Sequence, residues 1–120
     1  MKKHVIVIDD DEDILFVVSK VLFNSGYDVR VSTDPGLIST FKKGFPDLLL
    51  LDVHLAGKNG GDICRYLKTH KETAEIPVIL FSSIPELEKF SIENEANDYV
   101  SKPFDIEELK NKIDKHLNAA

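Results

Sequence analysis

Five short apolar runs recur along this chain, and each is followed by a segment whose apolar residues fall at helical spacing. That alternation constrains the fold more than any other feature. Strand–helix repeats close as a parallel sheet with right-handed crossovers and helices on both faces. Val5 to Ile8 is apolar and β-branched throughout, the pattern of a strand covered on both sides. Ile14, Val18, Val21 and Leu22 then share a helical face, and Gly26 supplies a stop. Val29 and Val31 alternate as a second strand. Pro35 suits the first turn of a second helix, with Leu37, Ile38 and Phe41 on one face and Gly44 at its end. Leu48 to Leu51 is the most apolar run. A loop of small residues, 56 to 61, leads to a third helix bearing Ile63, Cys64 and Leu67. Val78 to Phe81 is a fourth strand, and Tyr99 with Val100 marks a fifth. Asp105 with Glu108 reads as a capping box for a last helix faced by Ile106, Leu109, Ile113 and Leu117. The expected class is α/β: a (βα)5 doubly wound, five-stranded parallel sheet. Its fourth helix, between Pro85 and Ala96, is expected to be short or irregular, because proline is excluded from a helix interior.

Sheets of this kind bind ligands at the carboxyl ends of their strands. Asp9 and Asp10 follow the first strand, Asp52 the third, Ser82 and Ser83 the fourth, and Lys102 and Pro103 the fifth. Carboxylates brought together repel unless a cation or proton intervenes. A hard divalent ion such as Mg²⁺, with Mn²⁺ as a substitute, accepts such oxygens and fills its shell with water and phosphate. Lys102 and Ser82 can meet a second negative group. An aspartate, a metal, a lysine and a hydroxyl make a site for a phosphoryl group on Asp52. Asp11, Glu12 and Asp13 are expected at a helix N-terminus, where the dipole favours acids. Cys64 is expected in the core.

The motifs resemble those of a response-regulator receiver domain of two-component signalling, chemotaxis-regulator-like, over essentially the whole chain. VIVIDD is similar to the family's first strand with its acidic pair. LLLLDVHLAGKNG resembles the segment around the phosphoacceptor, with Asp52 in that role and Gly60 at the motif's glycine. VILFSS puts Ser82 at the Thr/Ser position. DYVSKPF puts Tyr99 at the aromatic switch and Lys102 at the site lysine, before a proline commonly preceded by a cis bond. The resemblance implies strand order 2-1-3-4-5, with 1–120 as one receiver domain and no output domain in the chain. It also implies Mg²⁺ on Asp9, Asp10, Asp52 and the His54 carbonyl, and Asp52, Lys102 and Ser82 as the reacting group of residues. Ser82 and Tyr99 would be the switch. The implied partners are a sensor histidine kinase or histidine phosphotransfer protein and a downstream protein. The domain would assist its own phosphorylation and dephosphorylation but would not be an enzyme. Three departures stand out: Leu55-Ala56 for the usual Met-Pro, Glu95 where glycine is usual, and a stretch from Ser82 to Lys102 about two residues short.

Other readings fare less well. DDDEDI alternates acids like a calcium-binding EF-hand loop, but Ile14 and Lys20 occupy positions that need Gly and Glu. A D-x-D after a strand resembles haloacid-dehalogenase-type phosphatases, with Asp9 as nucleophile, yet Asp13 stands where that motif prefers Thr or Val. A phosphorylation-independent module of the same fold would be expected to lack some of the site residues. A net charge of −6 with no basic cluster argues against direct nucleic-acid binding. The apolar runs are far below the ~18 residues of a membrane span. With one cysteine and no signal peptide, a cytoplasmic location is expected.

Overall fold

A computed structural model describes residues 2–118; Met1, Ala119 and Ala120, which the expected domain bounds include, lie outside the described residues. Strands β1 (His4–Ile8), β2 (Asp28–Ser32), β3 (Leu48–Asp52), β6 (Val78–Ser82) and β7 (Asp98–Ser101) form one sheet in the order β2-β1-β3-β6-β7. Every pairing in it is parallel. With the two hairpin strands set aside, this is the expected order 2-1-3-4-5. Helices α1 (Glu12–Asn24), α2 (Gly60–Thr69), α3 (Leu87–Glu93) and α4 (Ile106–Asn118) connect the strands.

Side chains divide by parity. Val5, Val7, Leu48, Leu50, Ile79 and Phe81 pack under α1 and α4, against Leu15, Val18, Leu22, Leu109 and Ile113. Ile6, Ile8, Leu49, Leu51, Val78 and Leu80 pack on the other face, against Phe41, Cys64, Leu67 and Leu87. β1 and β3 are therefore apolar at almost every position, because each has two covered faces. Burial of Cys64 pushes its thiol up to about 11, as befits a core residue. No described helix is long and apolar enough to cross a membrane.

Three local expectations are corrected. The second helix is a 3-10 helix, Pro35–Lys43, and not an α-helix. Within it the Ser39 hydroxyl donates to the Gly36 carbonyl and Thr40 Oγ1 to the Leu37 carbonyl, at 2.7 and 2.6 Å, which reinforces a three-residue repeat. The loop after Asp52 contains a small antiparallel hairpin, β4 (His54–Leu55) with β5 (Lys58–Asn59), turned at Gly57 with φ 71°. Ile106 is left 48% exposed at the start of α4, so the buried stripe there is Leu109 and Ile113. Asp105 does cap α4, accepting from the N–H groups of Glu107 and Glu108 at 2.8 and 3.1 Å. The fourth connection is short, as expected: α3 has 7 residues. Left-handed Glu86 and Glu95 stand at its two ends, with φ 55° and 63°. Glu95 thus takes the conformation that a glycine adopts without strain.

Candidate functional site

The site forms where β1, β3 and β7 end. β3 is buried along its length, and at its end Asp52 is only 7% exposed; Asp9, after β1, is 2% exposed. Carboxylates are seldom buried this far without partners. Lys102, just past β7, supplies the partner. Its Nζ is 2.7 Å from Asp9 Oδ2 and 3.6 Å from Asp52 Oδ2, and 4.8 Å from the centre of the Phe81 ring. The Lys102–Pro103 peptide is cis.

Backbone donors hold the remaining oxygens. Asp9 Oδ1 accepts from the Asp11 N–H at 2.9 Å, and Asp52 Oδ1 accepts from the His54 N–H at 3.3 Å. Asp11 then caps α1 by accepting from Asp13 and Ile14, with Glu12 and Asp13 in its first turn, the dipole-favoured arrangement expected for these acids. Burial, and next the charge of Asp9, push the Asp52 carboxyl above its ordinary 3.8, while Lys102 and the His54 N–H oppose them without cancelling them. One ammonium serves two buried carboxylates.

The other expected residues lie around this centre. Asp10 is exposed, and its Oδ1 accepts from the Ala56 N–H of the hairpin at 3.2 Å. His54 has an exposed side chain at the hairpin's start. Ser82 is buried, but its Oγ accepts from the Ile84 N–H at 3.2 Å rather than bonding to Asp52. Tyr99 is half-buried at the sheet edge, and Glu88 of α3, acting on the hydroxyl, pushes its pKa up. The structure therefore brings Asp9, Asp52 and Lys102 into contact, sets Asp10 and His54 at the rim, and keeps Ser82 and Tyr99 apart from the carboxylates.

Two positions matter more here than the sequence revealed. Asn59 caps α2, accepting from the N–H groups of Gly61 and Asp62 at 2.7 and 3.3 Å. A Cβ at Gly60 would come within 2.1 Å of the Asp52 carbonyl oxygen, so the backbone of α2 rests directly on the residue that carries the buried carboxylate. An Asn-Gly-Gly run before a helical pattern is the visible signal, with the asparagine as cap.

The donor set suits a hard divalent cation. Asp9, Asp10 and Asp52 offer only carboxylate oxygens, and at Asp52 burial and the Asp9 charge outweigh the nearby Lys102 ammonium. Among the described residues no three His, Cys, Asp or Glu side chains already form a cation-holding group. Lys102 holds Asp9, and Asp10 is turned to Ala56, so these two side chains would have to reorient toward an ion.

A doubly wound sheet in this strand order, with acids and a lysine at its carboxyl edge, defines a flavodoxin-like α/β domain whose site is that edge. The chain belongs to the response regulator receiver domain family, which matches residues 5–114. It is 33% identical over 114 residues to the DNA-binding dual master transcriptional regulator RpaA of Synechocystis sp., covering 92% of this chain and 47% of the relative. It is 31% identical over 116 residues to the DNA-binding response regulator MtrA of Mycolicibacterium smegmatis, covering 94% of this chain and 50% of that protein. The chain thus spans about half the length of these relatives. A crystal structure from Chloroflexus aurantiacus, of a protein provisionally assigned as a response regulator, has a TM-score of 0.91 at 27% identity, covering 98% of this chain and 99% of that one.

Proposed function

We propose that this receiver domain accepts a phosphoryl group on Asp52 from a phosphohistidine of a partner kinase or phosphotransfer protein. The observation that carries the reading is the buried Asp52 carboxylate, flanked by Asp9 and held 3.6 Å from Lys102 at the open end of the sheet. An Asp52 oxygen attacks phosphorus, the bond from phosphorus to the histidine nitrogen breaks, and the imidazole leaves and takes up a proton. Lys102 moves from Asp9 toward the new phosphoryl oxygens, and the Ser82 hydroxyl turns from the Ile84 N–H to donate to one of them. Mg²⁺, held by Asp9, Asp10, Asp52 and the His54 carbonyl, would supply positive charge to the transferring oxygens. Tyr99 responds to the movement of Ser82, shifting an equilibrium between two states of the α3–β7–α4 surface. The domain acts on its own aspartate and releases no product from an external substrate beyond the phosphate it hydrolyses. Its setting is the cytoplasm, its downstream partner is a protein, and the chain itself does not contact nucleic acid.

The test is labelling by acetyl phosphate in Mg²⁺, read by intact mass and by mapping the phosphorylated peptide. Wild type should gain one phosphoryl group on Asp52 and Asp52→Asn none, with the mutant still folded. Persistent labelling mapped to Asp9 would instead support the phosphatase-like reading, and no labelling of wild type would support a phosphorylation-independent module.

A further inference from the structure

Tyr99 is gripped by a helix that lies on the other face of the sheet. Tyr99 is paired in register with Leu80, and Ser82 lies two residues further along β6 on the same face as Leu80. Leu80 and Tyr99 both belong to the α3 side. Lys112 belongs to α4, which packs on the opposite side. Because β7 is the edge strand, Lys112 can reach around it. Its Nζ stands 4.3 Å from the centre of the Tyr99 ring and donates a hydrogen bond to the Tyr99 carbonyl. It also lies 3.4 Å from Asp98 Oδ1, the same oxygen that accepts the Tyr99 N–H at 2.9 Å. Asp98 Oδ2 is fixed in turn by His116 Nε2 at 2.9 Å. The ring, the carbonyl and the amide of Tyr99 are therefore all tied, directly or through one residue, to Lys112. On the other side α3 offers Glu88 to the Tyr99 hydroxyl, but the helix that carries it has only 7 residues, no side-chain cap at its N-terminus and left-handed residues at both ends.

We propose that Lys112 is a positioning residue that holds Tyr99 in its resting place and so sets how readily phosphorylation releases it. The inference rests on the reading of Tyr99 as part of the switch. A contact made in one of two states shifts their balance by the free energy it contributes to that state alone. The ammonium over the ring is such a contact, because it is lost when the ring moves. By linkage, weakening it must tighten binding of a phosphoryl group or its mimic, by at most the factor that it tilts the resting equilibrium.

The experiment uses protein labelled with 3-fluorotyrosine, whose three tyrosines, Tyr27, Tyr66 and Tyr99, give three fluorine resonances. The probe is beryllofluoride titrated in excess Mg²⁺. In wild type the Tyr99 resonance should move on saturation. Lys112→Met should move it part-way toward the saturated position before any beryllofluoride is added, and should lower the titration midpoint roughly two- to five-fold, the scale of one cation–π contact. Lys112→Gln keeps a donor for the Tyr99 carbonyl but no charge, and should behave the same way. Lys112→Arg keeps a cation on the ring and should restore the wild-type midpoint. Lys115→Met, which removes a charge 4.0 Å from Asp98, should change neither reading. In a Tyr99→Leu background Lys112→Met should leave the midpoint unmoved. An unchanged midpoint and resonance in both Lys112→Met and Lys112→Gln overturns the proposal. So does an equal effect in the Tyr99→Leu background, which would mean that Lys112 acts through Asp98 or α4. If the wild-type Tyr99 resonance stays still at saturation, the switch reading of Tyr99 fails first, and Lys112 has nothing to restrain.

Discussion

Asp52 and Asp98 are both withdrawn from water and both lie beside a lysine, yet their carboxyls shift in opposite directions. Burial and then the Asp9 charge raise Asp52. Burial is also the largest influence on Asp98 and would raise it. There the His116 hydrogen bond, the Tyr99 N–H, and the charges of Lys112 and His116 outweigh burial, and the carboxyl ends up lowered. The difference lies in how many bases serve each acid. At the strand-end site one lysine is shared by Asp9 and Asp52. At Asp98, Lys112, Lys115 and His116 all surround a single carboxylate. The first arrangement leaves a carboxyl whose charge is incompletely balanced, as the proposed cation site requires; the second ties a helix to a strand.

The largest effect should be on stability, with opposite signs at the two acids. Asp98→Asn removes charge-assisted hydrogen bonds at a partly exposed site and should destabilise by about 1–2 kcal/mol in urea unfolding. Asp52→Asn relieves the crowded pair and should raise the unfolding free energy by up to ~1 kcal/mol. Equal losses from both would break the contrast.

pH sharpens the comparison. Asp98 has a folded pKa below its ordinary 3.8. Its stabilisation is therefore present above that value and is lost as pH falls through the folded pKa. Asp52 has a folded pKa above 3.8. Between the two values the folded state retains a proton that the unfolded chain has released, so this carboxyl subtracts stability as pH rises through that window. Melting temperature against pH should lose its steepest acid drop in Asp98→Asn. In Asp52→Asn the curve should lie higher above the window and converge with wild type below pH 3.8.

A smaller effect belongs to α3, which neighbours the Asp98 tie without sharing its support. Glu95 is left-handed at φ 63°. Glu95→Gly should relieve that strain and stabilise by up to ~1 kcal/mol, less the backbone entropy a glycine brings to the unfolded chain. A loss of stability would mean that the Glu95 side chain makes a contribution the backbone geometry does not show.

The smallest effect concerns two residues with no counterpart at Asp98, one two positions after Asp52 and one two positions after Ser82. His54 is exposed at the hairpin and Ile84 is half-buried beside Ser82. Under the proposed function, both side chains would obstruct water approaching a phosphoryl group on Asp52. His54→Ala and Ile84→Ala should each shorten the phosphoryl lifetime by roughly two- to five-fold, since in-line attack is sensitive to small displacements. Unchanged lifetimes in both would remove these side chains from the path of water.

The buried strands were legible because a strand covered on two faces must be apolar at nearly every position, as Val5 to Ile8 and Leu48 to Leu51 are. The strand-end acids and Lys102 were legible for the complementary reason, since charges directly after such runs have few other places to go. The 3-10 helix was not. Its apolar spacing is shared with an α-helix, and the hydroxyl-to-carbonyl bonds of Ser39 and Thr40 that favour the tighter repeat have no periodic signature. The Asp98 cluster was missed because its members are 14 to 18 residues apart in the chain and meet only when α4 folds back on β7. Ser82's actual partner was missed as well, since a backbone N–H two residues away can always compete with a distant carboxylate.

The division of β3 between two cores has a consequence for anyone recombining this domain with relatives. Leu48 and Leu50 serve one side and Leu49 and Leu51 the other. A crossover that gains or loses a single codon inside this strand would exchange the two sets and rotate Asp52 away from Lys102. Splice points belong instead in stretches outside the sheet, such as the connection at 70–75. There the junction can absorb a change in length before the next strand begins.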